Sequence, residues 1–146
     1  HIALGRNWRG RDIDAGGVIY VAAEGAYGIR NRIAAFKQHN NISSGIPFSV
    51  IPASVNMLDS EADLAKLINT IRVKAQDMGH VAIVVLDTLA RVMAGGNENA
   101  AEDMGLLVIN ADKIRHATDA HVCFIHHSGK DERSRSRSPA TLAAQQ

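Results

Sequence analysis

Val81-Ala82-Ile83-Val84-Val85-Leu86, followed by Asp87-Thr88, is the stretch that decides the fold. It is an unbroken apolar run rich in β-branched residues, and it ends in an acid. Continuous rather than alternating hydrophobicity is the mark of a strand covered on both faces of a parallel sheet. Two more runs share the character: Gly17-Val18-Ile19-Tyr20-Val21 and His121-Val122-Cys123-Phe124-Ile125. A weaker fourth, Phe48-Ser49-Val50-Ile51, stops at Pro52. Helical patterns lie between them. Ile29, Ile33 and Phe36 mark the first. Leu64, Leu67, Ile68, Ile71, Ala75 and Met78 mark the second, opened by Ser60 with Asp63 three residues on and closed by Gly79. Asn99 and Glu102 open the third with a capping-box spacing, and Leu107, Val108, Ala111 and Ile114 carry its apolar stripe. Strands alternating with helices predict βαβ units: an α/β fold with a mostly parallel sheet flanked by helices.

Composition bounds the rest. The 146 residues amount to one domain, 46% hydrophobic and 21% charged, in the ordinary range for a globular chain. A net charge of +1 does not call for a nucleic-acid partner, and 4% aromatics argue against an open stacking platform for bases. Cys123 is the single cysteine, so no internal disulfide forms and a reducing cytoplasm fits. No apolar stretch approaches the roughly 20 residues of a membrane helix, and His1-Ile2-Ala3-Leu4-Gly5 lacks the charged flank and hydrophobic region expected of a signal peptide. The start at His1 without methionine suggests a fragment. Residues 131–146, with alternating Arg and Ser, are expected to form a solvated polar tail distinct from the core in residues 1–130.

In an open parallel sheet, ligands gather outside the carboxyl ends of the strands. Here those ends carry Glu24-Gly25, Asp87-Thr88 and His126-His127-Ser128-Gly129-Lys130. A hydrophobic run ending in an acid can hold Mg²⁺ beside a nucleotide's phosphates, although an aspartate there can also cap the next helix. Glu24, with Gly25 and Gly28 to let the backbone turn, can orient or deprotonate an attacking water. It can instead be a first-turn acid on a helix beginning near Ala26. His126 and His127 are adjacent, so on a strand they point to opposite faces and do not readily share one metal. One of them can hydrogen-bond a γ-phosphate; both can also be satisfied strand-end histidines. Lys130 can neutralise phosphate charge or belong to the tail. His80 and His121 begin strands and are expected at the surface.

The ordered set from Gly17 to Gly25, from Val85 to Arg91 and from Phe124 to Lys130 resembles the RecA-like ATPase family of plasmid and phage replicative helicases (RepA-like). Gly95-Gly96-Asn97-Glu98-Asn99 and Asp103-Met104-Gly105 resemble the loop and helix that follow in those proteins. The resemblance covers nearly all of residues 1–130. It implies ATP and Mg²⁺ as cofactors, Glu24 as catalytic glutamate, Asp87 with Thr88 as the Walker B position, and His127 or His126 as the sensor. It further implies a loop at 94–98, including Gly95, Gly96 and Asn97, that faces single-stranded DNA in a homo-oligomeric ring, a hexamer by family precedent. Two departures stand out. The phosphate-cradling G-x-x-x-x-G-K-[ST] of the family, with its strand, occurs nowhere in these residues, and the sequence after Lys130 lacks the family's glycine loop and further strand. Two other readings remain open at this point: a non-hydrolysing DNA-binding scaffold or recombination mediator of the same shape, and a metal-dependent hydrolase using Asp87, His126 and His127.

Overall fold

The computed structural model describes residues 1–24, 26–58 and 61–127. Four strands, β1 (Gly17–Ala22), β2 (Phe48–Ile51), β3 (Val81–Asp87) and β4 (His121–Ile125), form one sheet. Its order is β2-β1-β3-β4, and every pairing is parallel. Helix α1 (Ile29–His39) links β1 to β2, α2 (Glu61–Met78) links β2 to β3, and α3 (Leu89–Val92) with α4 (Ala101–Thr118) links β3 to β4. The four strand runs read from the sequence are all present, two of them longer by their final residues, Ala22 and Asp87.

The order dictates where the helices go. From β1 the chain steps one way to β2, then returns past β1 to β3 and on to β4. Parallel crossovers are right-handed, so reversing the direction of travel moves the connecting helix to the other face. Helices α2 and α4 accordingly share one face. Leu64, Leu67 and Ile71 of α2 and Leu107 and Ile114 of α4 bury against Ile19, Val21, Val84 and Leu86 in a single core cluster. Helix α1 lies on the opposite face, and its Ile29, Ile33 and Phe36 line, with Tyr20 and Phe48 of the sheet among others, an apolar cavity of about 430 Å³. It buries none of its own residues fully.

The two faces are therefore unequal, which corrects the expectation of strands covered on both sides. Only β1 is buried along nearly its whole length. In β3 and β4 the residues on the α1 side, Ile83, Val85 and Cys123, are only partly buried among the described residues. Hydrophobic continuity recorded what the strands can bury, whereas α1 reaches only part of that face. A second correction concerns α4. Its N-cap is Ala100, not Asn99, and no side chain caps it. Asn97 Oδ1 instead accepts the Asn99 N–H at 3.0 Å, and Asp103 accepts the Asn97 N–H at 2.7 Å, so the local polar groups close the preceding loop. Helix α2 ends as expected, with the Gly79 N–H donating to the Ala75 carbonyl at 2.8 Å and φ at +72°. Ser60, its expected opening residue, lies outside the described residues, as do Gly25 and the whole tail from 128 onward. His80 and His121 are exposed, as their strand-start positions suggested.

Backbone approach at the strand starts gives a test. A Cβ on Gly16 would lie 2.7 Å from Ala82 Cβ and 3.2 Å from the Ala82 nitrogen, with little room to yield. Gly16→Ala is expected to lower stability by about 1–3 kcal/mol in urea unfolding. Gly45→Ala, where a Cβ meets nothing within 4 Å, should stay within about 0.5 kcal/mol of the parent.

Candidate functional site

The change of direction between β1 and β3 makes the crevice at their carboxyl ends the topological switch point, where open α/β sheets take ligands. Ala22 pairs with Asp87 in the β1–β3 ladder, and the Ala23 N–H extends it with a 2.8 Å bond to the Asp87 carbonyl. Glu24 follows at once. Asp87 in turn pairs with Ile125 of β4, beyond which lies His126. Three neighbouring strand ends thus bring Glu24, Asp87 and the histidine pair to one edge of the sheet. Helix formation does not compete for the two acids. Helix α1 begins at Ile29, after Gly28 at φ +83°, and has no acid in its first turn. Glu24 is therefore a loop residue, and the helix expected near Ala26 starts three residues later. Asp87 is the last residue of β3, and Thr88 is the N-cap of α3.

Each group has a partner that the sequence did not announce. The Tyr20 hydroxyl donates to Asp87 Oδ2. Tyr20 and Ala22 share a sheet face by the period of two, so the phenol runs along the sheet toward the strand ends. Its ring stacks on Phe48 of β2, with centroids 6.3 Å apart and planes at 29°. Burial, then the hydrogen bond to Asp87 and its charge, push the Tyr20 phenol up to about 12. Arg91 of α3 donates through Nε to Glu24 Oε1 at 3.2 Å. Glu98 Oε2 lies 3.0 Å from His126 Nε2, an ion pair when the imidazole is protonated. These last two contacts are open to solvent, with side chains 63% and 48% exposed in the first and 53% and 44% in the second. Pairs of that kind contribute roughly 0.2–1 kcal/mol and hold geometry lightly.

The remaining sequence candidates divide. Thr88 is buried, and its carbonyl accepts the N–H groups of Arg91 and Val92 at 3.1 Å each. His127 is exposed, and since β4 stops at Ile125 both histidines leave the strand. The alternation argument for their pointing apart therefore has no strand to act on. Gly95, Gly96 and Asn97 form an exposed turn after α3, with Ala94 at φ 49° and Gly95 at φ 95°. That turn is seated on the core: the Gly96 N–H donates to Met93 at 2.9 Å, and a Cβ there would meet Leu58 at 2.2 Å. Lys130 lies outside the described residues.

The site fits a cation brought with a nucleotide better than a resident metal. Among the described residues, no group of three His, Cys, Asp or Glu side chains could hold a metal ion. Mg²⁺ in nucleotide sites is commonly held by one or two carboxylates together with phosphates and water. Asp87 suits that part, because among the described residues its carboxylate has Tyr20 as its only side-chain partner. An open cleft of about 600 Å³, lined by Ala22, Ala23, Arg30, Asn31 and Ser54 among others, lies past the carboxyl ends of β1 and β2. Among the described residues, no helix is long and apolar enough to cross a membrane.

The raised phenol of Tyr20 has a consequence in alkali. A group whose folded value lies above its unfolded one adds stability that is complete below pH 10 and is lost as pH rises toward about 12. Chemical unfolding across that window should show the decline, and Tyr20→Phe should remove it.

No curated protein matches the chain. A family model described as an AAA domain matches residues 1–133, a span that contains every described residue. Its members are ATPase-type, nucleotide-binding domains, in keeping with the parallel sheet and the acids at its carboxyl edge. The chain belongs to the AAA domain family.

Proposed function

We propose that this chain is part of an ATP-hydrolysing RecA-like motor subunit, a DNA helicase or translocase of the plasmid and phage replicative type. The observation that carries the reading is that Glu24, just past the end of β1, and Asp87, the last residue of the adjacent β3, come together at the switch point of an AAA-family sheet. ATP with Mg²⁺ would bind there. Mg²⁺, when bound, supplies charge neutralisation for the phosphates. Asp87 would contribute a carboxylate to its coordination, directly or through water. Glu24 would orient the attacking water and take its proton as the new bond to the γ-phosphorus forms and ADP leaves with the electron pair of the broken P–O bond. His126 or His127 would contact the γ-phosphate from the next strand end. The cradle for the phosphates would come from outside these 146 residues, since they contain no G-x-x-x-x-G-K-[ST].

The finer parts of the reading rest on position. The exposed turn at 94–98 rises from the same edge as the acids and would touch single-stranded DNA, and the working unit would be a homo-oligomeric ring, a hexamer in the family it resembles. The free thiol of Cys123 accords with work in a reducing cytoplasm. A RecA-like scaffold that binds DNA without turnover is the other outcome of the test.

In the full-length protein, Glu24→Gln is expected to keep nucleotide binding and lower turnover by about 10²–10⁴. Asp87→Ala should weaken Mg²⁺-dependent nucleotide binding. Steady-state phosphate release and nucleotide titration measure both. Parent-like hydrolysis by the Glu24→Gln protein would remove the catalytic assignment, and no hydrolysis by the parent would bring the scaffold reading forward.

A further inference from the structure

We propose that Tyr20 is a positioning residue for Asp87, fixing one carboxylate oxygen so that the other stays available to the Mg²⁺ that accompanies the nucleotide. The inference rests on the ATPase reading and deepens it. Its ground is the contact between the Tyr20 hydroxyl and Asp87 Oδ2, made across the β1–β3 ladder that forms the switch point.

The arrangement suits this task in three respects. First, reach: Tyr20 pairs with Val85, two residues short of Asp87 on the same face, and a long planar side chain spans that step along the sheet. A serine or threonine at position 20 would be too short, and phenylalanine would reach without a donor. Second, rigidity: the ring is carried on the most buried strand and stacked on Phe48 of β2, so the hydroxyl is fixed from two strands. A carboxylate at a strand end otherwise turns about its side-chain bonds, and ordering it on metal binding costs affinity. Third, charge: a phenol donates a hydrogen bond without adding a positive charge. Lysine or arginine at the same place would hold Asp87 and also repel the cation. Among the described residues, the charge of Arg32 of α1 acts on the phenol and draws its value down, and the only hydrogen bond to the Asp87 carboxylate comes from Tyr20.

The test compares the Mg²⁺ dependence of ATP hydrolysis in the full-length parent, Tyr20→Phe and Asp87→Ala proteins. Thermal unfolding is followed alongside, and Mn²⁺ binding in the presence of a non-hydrolysable ATP analogue is read by electron paramagnetic resonance. Tyr20→Phe is expected to raise the half-saturating Mg²⁺ concentration by about three- to tenfold and to weaken Mn²⁺ binding in parallel. Its kcat at saturating Mg²⁺ should remain within about twofold of the parent. A purely structural role would instead lower the melting temperature or kcat and leave the Mg²⁺ midpoint alone. Phe48→Leu, which slackens the stack but keeps the hydroxyl, should shift the midpoint in the same direction by less, and it serves if Tyr20→Phe does not fold. An unchanged midpoint in the Tyr20 or Phe48 variant, beside a shifted Asp87→Ala, overturns the role of Tyr20 and leaves the ATPase reading standing. An unchanged midpoint in Asp87→Ala overturns the Mg²⁺ assignment of Asp87, and the role of Tyr20 with it.

Discussion

The pairing of β1 with β3 is the constraint on which everything else depends. These strands are neighbours in space although α1, β2 and α2 separate them in sequence. Their adjacency reverses the chain's direction of travel across the sheet. With right-handed crossovers, the reversal sends α1 to one face and α2 and α4 to the other. It also leaves the carboxyl ends of β1 and β3 without a helix running directly between them, and the acids occupy that gap. The core and the candidate site are thus two results of one pairing, through Ile19, Val21, Val84 and Leu86 on one side and Glu24 and Asp87 at the end.

Much of this was legible in the sequence, for identifiable reasons. A continuous apolar run such as that from Val81 to Leu86 has few physical homes other than an inner strand. The spacing of Leu64, Leu67 and Ile71 admits only a helix with one buried face. An acid placed directly after such a strand was readable as a site because parallel sheets expose that end. Helix α3 escaped notice because its four residues, Leu89–Val92, are too few to show a period. The cap of α4 was misplaced because Asn97, Asn99 and Asp103 satisfy one another locally, and sequence spacing does not tell which backbone N–H a short polar side chain will take. Coverage of the α1 face was overestimated because hydrophobicity reports the capacity to be buried, and a helix must arrive to use it.

The partners of the site residues were the least legible part. Tyr20 reaches Asp87, and Arg91 reaches Glu24, each across 67 positions. Tyr20 was the one residue of its strand run with a polar tip, which is a signal once the pairing of β1 with β3 is known and not before. Arg91 and Glu98 lie in the segments that carry the resemblance, but nothing in the sequence pairs them with Glu24 and His126, since exposed charges on a turn and a short helix are ordinary at any protein surface.

The segment from Thr88 to Asn99 is attached to the sheet in two different ways. Its inner side is bolted: Val92 and Met93 are buried, and the Val92 carbonyl accepts the Met57 N–H at 2.7 Å while Asn110 holds the Met57 carbonyl at 2.7 Å. Its outer side is only clasped, by Arg91 on Glu24 and by Glu98 on His126, both in reach of water and salt. The rim can therefore trade partners while the floor stays still. A polyanion arriving at this edge would find an arginine and an imidazole whose present companions release them at small cost, so the sheet need not deform to receive it.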